Sequence, residues 1–256
     1  MKRISSRDNT FFKGLRALVT DHREPRRRGE TLVDGIHLVH ACSERGIETR
    51  QLVVSDSGLL NPGISALIEH AGAGCITLSD ALFREATGVD SPTGIAAVIA
   101  IPVLPEGPAA GDAVLLDAVQ DAGNVGTILR TAAAAGVRDI VLGTGCAGAW
   151  TPRVLRAGQG AHFGLRIREQ ADLSAALAAC QGVSVATVVN GGESLFDLDL
   201  RQPVAWIFGN EGIGVSATLA AAASRRATIP LAADTESLNV AAAAAVCLFE
   251  MTRQRH

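Results

Sequence analysis

Three short segments put polar side chains where a folded backbone has unpaired groups to offer. The first is 229–246, IPLAADTESLNVAAAAAV. An apolar run closes at Pro230, a short loop comes next, and Ser237-Leu238-Asn239-Val240 opens a helix built almost wholly of alanine. A core helix carries Leu, Ile and Val at i, i+3 and i+4. Residues 241–245 instead make a narrow face that lets another backbone come close. Ser237 and Asn239 lie where a helix N-terminus leaves amide groups without partners. Taken alone, the segment reads equally as an N-cap before a buried helix or as one wall of a site.

The second segment is 121–136, DAGNVGTILRTAAAAG, directly after an apolar strand at 114–119. Asn124 is placed to cap the adjoining helix, and Gly123 and Gly126 allow a backbone to approach. Arg130 falls on the second helical turn. It either reaches back over the strand ends to grip a phosphate or ribose, or it is an ordinary surface arginine. The third segment is 206–216, WIFGNEGIGVS, a strand running into Gly209-Asn210-Glu211-Gly212 with Gly214 behind it. Glycines at a strand end let a ligand lie against main chain, and Glu211 then sits at the mouth of the sheet. Each segment alone has a plain structural reading. Together they bring strand ends, small residues and polar groups into one layer.

The elements that must position them alternate. After a Pro- and Gly-rich stretch at 102–111, runs at 113–119, 139–142, 165–168, 183–189, 204–208 and 227–230 read as strands, and 124–135, 173–180 and 237–253 as helices. Continuous apolar strands alternating with helices predict an α/β domain whose mostly parallel sheet is covered on both faces. Ligands of such sheets bind beyond the carboxyl ends of the strands. Before the linker, strands at 51–55, 75–78 and 94–101 and helices at 35–45, 64–71 and 80–86 predict a smaller α/β unit. The expected organisation is a basic arm at 1–28, a smaller α/β unit at 29–102, a linker at 103–112 and a larger α/β domain at 113–256. Gly143-Thr144-Gly145-Cys146-Ala147-Gly148 matches the dinucleotide-binding GxGxxG pattern, with Glu169 at the expected distance. That motif needs a helix opening at its second glycine, whereas here the next helix is expected near Pro152.

The chain has 256 residues, 48% of them hydrophobic, enough to bury a sizeable core and too many for a disordered chain. Its net charge of −3 names no polyanionic partner by itself. The distribution does: residues 1–28 carry nine Lys or Arg against three Asp or Glu, about +6, leaving the rest near −9. Arg23, Arg26, Arg27 and Arg28 make a footprint for nucleic acid, or a solvated terminal segment. Five widely spaced cysteines without a CxxC pair predict reduced thiols in a cytoplasmic protein. No charged-then-apolar leader opens the chain, and no apolar run is long enough for a bilayer. His37 and His40 have no further ligand cluster around them, so no metal site is expected.

At these residues the chain resembles the SpoU/TrmH branch of the SPOUT RNA methyltransferases. The first family motif, N-x-G-x-x-x-R, is matched by Asn124, Gly126 and Arg130. The second, G-x-E-G-x-G after a strand, is matched by Gly209, Glu211, Gly212 and Gly214. The third, I-P-M-x-G-x-x-x-S-L-N-V, is matched by Ile229, Pro230, Ser237, Leu238, Asn239 and Val240. The resemblance covers residue 113 to the C-terminus; residues 5–101 look like the family's L30e-like substrate-binding domain through weaker motifs. This chain departs at Leu231 and Ala233, where the family usually has Met and Gly; an alanine tightens the loop if that position needs a positive φ.

The resemblance implies a SPOUT domain with a deep trefoil knot, homodimer formation and S-adenosylmethionine as methyl donor. It implies that Gly209, Ile229, Leu231, Leu238 and Asn239 hold the cofactor and that Arg130, with Asn124, Glu211, Ser237 and Asn239, serves catalysis. The implied reaction methylates a ribose 2′-hydroxyl, in ribosomal RNA of the 23S type by virtue of the extra N-terminal domain. A transfer RNA substrate, or an inactive RNA-binding assembly factor of the same fold, are the alternatives.

Overall fold

The computed structural model describes residues 1–71, 74–103, 107 and 111–256. Pro105 and Pro108 of the expected linker lie outside the described residues. The chain forms two compact units, Met1–Val103 with Trp150–Phe163, and Leu104–Ala149 with Gly164–His256.

The first unit runs β1 (Lys2–Ile4), α1 (Thr10–Thr20), α2 (Glu24–Arg28), β2 (Glu30–Asp34), α3 (Ile36–Glu44), β3 (Thr49–Ser55), α4 (Pro62–Ala71), β4 (Cys75–Leu78), α5 (Asp80–Thr87) and β5 (Ile95–Ala100). Its sheet has the order β1-β4-β3-β5-β2. Here the structure corrects the expectation of a separate arm at 1–28. Asn9 caps α1 by accepting from the amides of Phe11 and Phe12, and Phe12, Leu15 and Leu18 are fully buried against Leu82 and Phe83 of α5. β1 pairs in parallel with β4. The apolar spacing at 12, 15 and 18 is a helical stripe inside a basic segment; charge hid it. The strand at β2 is likewise an addition to the elements expected from the sequence.

The second unit contains β6 (Ala113–Asp117), α6 (Ala122–Ala134) and β7 (Asp139–Gly143). The chain then contributes α7 (Pro152–Gly158), with Pro152 at its start as expected, to the first unit. β8 (Arg166–Ala171), α8 (Leu173–Ala178), β9 (Val183–Thr187), β10 (Glu193–Ser194), β11 (Val204–Gly209), α9 (Ala217–Ala222), β12 (Arg225–Thr228) and α10 (Val240–Arg255) complete the second. No helix opens inside the GxGxxG match, so that pattern is not a dinucleotide fingerprint.

Seven strands pair in parallel in the order β10-β12-β9-β11-β6-β7-β8. Their carboxyl ends therefore share one edge. Residues of odd number in β6 and β11, such as Leu115 and Ile207, pack with Leu173, Leu177 and Leu219 of α8 and α9. Residues of the other parity face the opposite helical layer: Trp206 Nε1 donates to Met251 Sδ of α10, and α10 packs along α6. Ala241 and Ala244 are buried there, so the small residues of α10 do permit close packing.

The end of α10 is tied back to the sheet. Arg255 donates to both oxygens of Asp112 and to the carbonyls of Leu200 and Gln202, while Gln254 bonds Leu200 and Leu198. Removing one partner of such a half-buried group leaves the others unsatisfied. Arg255→Ala is expected to lower the unfolding free energy by about 1–3 kcal/mol in a urea titration; an unchanged midpoint would show that the C-terminal turn is not held by this cluster.

Candidate active site

β6 and β11 lie side by side, with Asp117 opposite Gly209, so both chains leave the sheet together. β11 runs straight into a tight turn in which Asn210 and Gly214 exchange backbone hydrogen bonds. A Cβ on Gly209 would overlap the peptide between Gly214 and Val215, so only glycine fits. Asn210 holds the turn from inside: its Oδ1 accepts from Gly212 N (2.9 Å) and Ile213 N (3.2 Å), and its Nδ2 donates to Ala118 O (2.9 Å). Ala118 itself takes a left-handed φ of 54°, which turns the chain out of β6.

Glu211 sits at the tip of this turn. Its carboxylate accepts from Gln120 N (3.2 Å), Asp121 N (3.1 Å) and Asn124 Nδ2 (3.0 Å). Partial burial alone pushes this carboxyl up; the bonds from Asn124 and from the backbone around it outweigh that and hold it below the usual glutamate range. The amide of Asn124 is oriented by this bond and accepts, through Oδ1, from Asn239 Nδ2 (2.9 Å). Asn239 Oδ1 in turn accepts from Ala241 N and Ala242 N and caps α10. Glu211, Asn124 and Asn239 thus form one relay from the β11 turn through α6 to α10.

Two cap assignments change. Asp121, not Asn124, is the N-cap of α6, with Oδ1 accepting from Asn124 N at 2.8 Å. Asn124 lies in the first turn, which frees its side chain for the relay. The cap of α10 is Asn239, and the helix begins at Val240, so Ser237 stays in the loop. Asp121 and Asn210 are site residues beyond those expected from the sequence. The signal for Asp121 was its place at the start of the segment, since Asp is as good a cap as Asn.

Arg130 is exposed on α6, beyond the relay, and makes no hydrogen bond or ion pair among the described residues. Ser237 is likewise exposed and uncommitted. The loop 231–239 is exposed throughout, and Thr235 N to Ala232 O is its own internal backbone bond. Main-chain groups of Ile229, Leu231 and Leu238 have no partner among the described residues, and Leu231 and Leu238 are 37% and 39% exposed. Uncommitted amides flanked by apolar side chains suit a flat heterocycle with a polar edge, so these residues fit an adenosyl cofactor. Ala233 does not take a positive φ, so the loop does not require glycine there. Cys146 donates to Leu116 O at 3.2 Å, and burial pushes its thiol to about 11, which argues against a nucleophilic role.

In the first unit, the four arginines of the basic segment divide. Arg27 pairs with Glu24, and Arg28 with Glu30 and the Gly14 carbonyl. Arg23 and Arg26 are exposed, and their side chains are uncommitted among the described residues.

Residues 112–249 match the model of the SpoU rRNA methylase family, and residues 9–97 match that of the MRM3-like substrate binding domain. The chain is 33% identical to the 23S rRNA (guanosine(2553)-2′-O)-methyltransferase RlmP of Bacillus subtilis, over 98% of this chain and 99% of that one. It is similar in fold to the SpoU methyltransferase AviRb of Streptomyces viridochromogenes in complex with AdoMet, with a TM-score of 0.86, 27% identity, and 96% and 98% of the two chains covered. The AdoMet-bound rRNA methyltransferase of Sinorhizobium meliloti matches with a TM-score of 0.85, 28% identity, and 98% and 97% covered.

A depressed carboxyl contributes stability that is complete above its unfolded pKa, about 4.3, and is lost as pH falls through the lower folded value. Glu211→Gln is therefore expected to be less stable than the parent at pH 7, with the gap closing below about pH 4.3. Urea unfolding of both proteins across that range checks it; a pH-independent gap would show that the charge on Glu211 does not hold the relay.

Proposed function

The chain belongs to the SpoU rRNA methylase family, and from that premise we infer that it moves a methyl group from S-adenosylmethionine to a ribose 2′-hydroxyl of ribosomal RNA. The observation that carries the reading is the Glu211–Asn124–Asn239 relay, which joins all three motif segments at the carboxyl edge of the sheet. The 23S target follows from the names of relatives that match over nearly their whole length.

The cofactor, when bound, supplies a methyl group already activated by its sulfonium. The protein's task is then to position the acceptor and stabilise developing negative charge on its oxygen. The main chain of Gly209, Ile229 and Leu238, with the Leu231 side chain, holds the cofactor; Asn239 fixes the start of the helix beneath it. Arg130 grips the acceptor ribose or its phosphate and stabilises the alkoxide. It acts as an orienting cation rather than a base, because a guanidinium with a pKa above about 12 keeps its proton. Ser237 and Asn124 orient the ribose, and Glu211 positions Asn124. The new O–C bond forms as the C–S bond breaks, and the hydroxyl proton leaves to solvent.

Three finer features complete the reading. The return of the chain from β12 to cap α10 against Asn124 is consistent with a trefoil knot around residues 229–240. The exposed Ile213 and Phe249 suit burial in a homodimer beside the site. Five free cysteines and a ribosomal substrate agree with a cytoplasmic location. The N-terminal unit engages RNA through Arg23 and Arg26, which have charge to spare, more than through Arg27 and Arg28, which are paired.

With labelled S-adenosylmethionine and ribosomal RNA, wild-type protein is expected to leave label in alkali-resistant dinucleotides; label on a base would overturn the ribose assignment. Arg130→Ala is expected to lower kcat about 10²–10³-fold, the scale for one preorganised electrostatic group, with cofactor affinity retained. The double variant Arg23→Ala, Arg26→Ala is expected to weaken RNA binding and to flatten the salt dependence by about one unit of log–log slope per lost phosphate contact. An unchanged slope would move the RNA contact elsewhere.

A further inference from the structure

Among the described residues only Ala118, Gln159 and Gln170 take a left-handed φ without being glycine. Gln159 closes α7, where such a conformation is ordinary. Ala118 stands one residue beyond β6, between the strand and the amides that Glu211 holds. Its side chain has no polar atom to favour that conformation, and its Cβ disfavours it. The backbone is held there by its surroundings.

The residues on either side of Ala118 are fixed. Asp117 is in register with Gly209 of β11, and its Oδ2 accepts from Ser216 N at 2.8 Å. Val119 is fully buried, and its carbonyl accepts from Ala147 N at 2.9 Å. Gly145, from the GxGxxG match, lies against the Ala118 methyl, which a Cβ on Gly145 would approach to 3.2 Å. The Ala118 carbonyl accepts from Asn210 Nδ2 at 2.9 Å. The orientation of that amide is dictated by its other end: Asn210 Oδ1 accepts from the backbone N–H groups of Gly212 and Ile213, so the nitrogen is the atom that faces Ala118.

One half-buried side chain thus locks its own turn with its oxygen and reaches the neighbouring strand end with its nitrogen. The next residue of the turn, Glu211, crosses the same gap and accepts from Gln120 N and Asp121 N. The two crossings close a ring, and Ala118 is its hinge, because rotation about its φ swings the amides that follow. We propose that Asn210 is a positioning residue for methyl transfer. By donating to the Ala118 carbonyl it keeps that residue left-handed, which aims the Gln120 and Asp121 amides at Glu211 and, through Glu211, sets Asn124. It acts through this chain of bonds and not on the RNA or the cofactor. The proposal rests on the reading of the chain as an RNA methyltransferase.

Asn210→Asp keeps the bonds from Gly212 and Ile213 and turns only the donor into an acceptor facing Ala118 O. It is expected to lower kcat about 10–100-fold, the scale of a small misplacement in a preorganised site, with KM for RNA and for S-adenosylmethionine within about twofold. Ala118→Gly in the same chain removes the Cβ penalty on the left-handed conformation and is expected to give back about fivefold or more of that loss. The amide proton resonances of Gln120 and Asp121 are expected to move upfield in Asn210→Asp and to return in the double variant. Asn210→Ser, whose hydroxyl can hold the turn but not reach Ala118, carries the same expectations should the aspartate variant not fold. An unchanged kcat, a loss that Ala118→Gly does not reduce, or a rise in KM alone would overturn the assignment. If the wild-type protein transfers no methyl group, the enzymatic reading fails, and the two amide resonances still decide whether Asn210 sets the ring.

Discussion

The Glu211 carboxylate has to accept from the backbone of Gln120 and Asp121 and from the Asn124 side chain at once. That requirement sets where β11 ends relative to where α6 begins. It is met because the two strands are neighbours in register and because Gly209 lacks a Cβ. A charged acceptor with several N–H donors is the strong form of hydrogen bond, which is why an exposed carboxylate can organise a turn. From Asn124 the constraint passes to Asn239 and so to the first turn of α10. The position of Arg130 on α6 is thereby set without a hydrogen bond or ion pair of its own among the described residues.

Around this relay the structure leaves Arg130 and most of residues 231–239 uncommitted among the described residues. Residues 231–239 are exposed and nearly free of internal hydrogen bonds, and Arg130 has no counter-charge among the described residues. Segments of this kind open at low free-energy cost. In the proposed function a cofactor and an RNA would supply the missing partners, and part of their binding energy would go into ordering the loop. The central strands β6, β7 and β11 are by contrast buried on both faces.

The N-terminal unit shows where reading a sequence by charge misleads. Residues 1–28 look like a basic tail because nine cations dominate the composition. Yet Phe12, Leu15 and Leu18 anchor a core, and Arg7, Arg16, Arg27 and Arg28 are bound to carboxylates of the same unit. Periodicity was present and outvoted. Similarly, α7 was legible as a helix from Pro152, but nothing local says that its apolar side joins the first unit, where Arg156 meets Asp34.

The sequence by itself determined the alternation of strands and helices, the need for a small residue where β11 ends at Gly209, and that Asn124, Glu211 and Asn239 lie in one layer at the carboxyl ends of the strands. These depend on short-range rules: side-chain periodicity, turn chemistry and the steric demand of one residue. Only the tertiary structure decided which polar residue caps which helix, that Asn124 reaches Glu211 and Asn239 instead of its own helix end, and that Ala233 needs no glycine. It alone revealed that Asn210 and Ala118, distant in sequence, are joined by a hydrogen bond. A hydrogen-bond partner is chosen by what lies within about 3 Å, and for these residues that neighbour comes from strand order, which no single segment encodes.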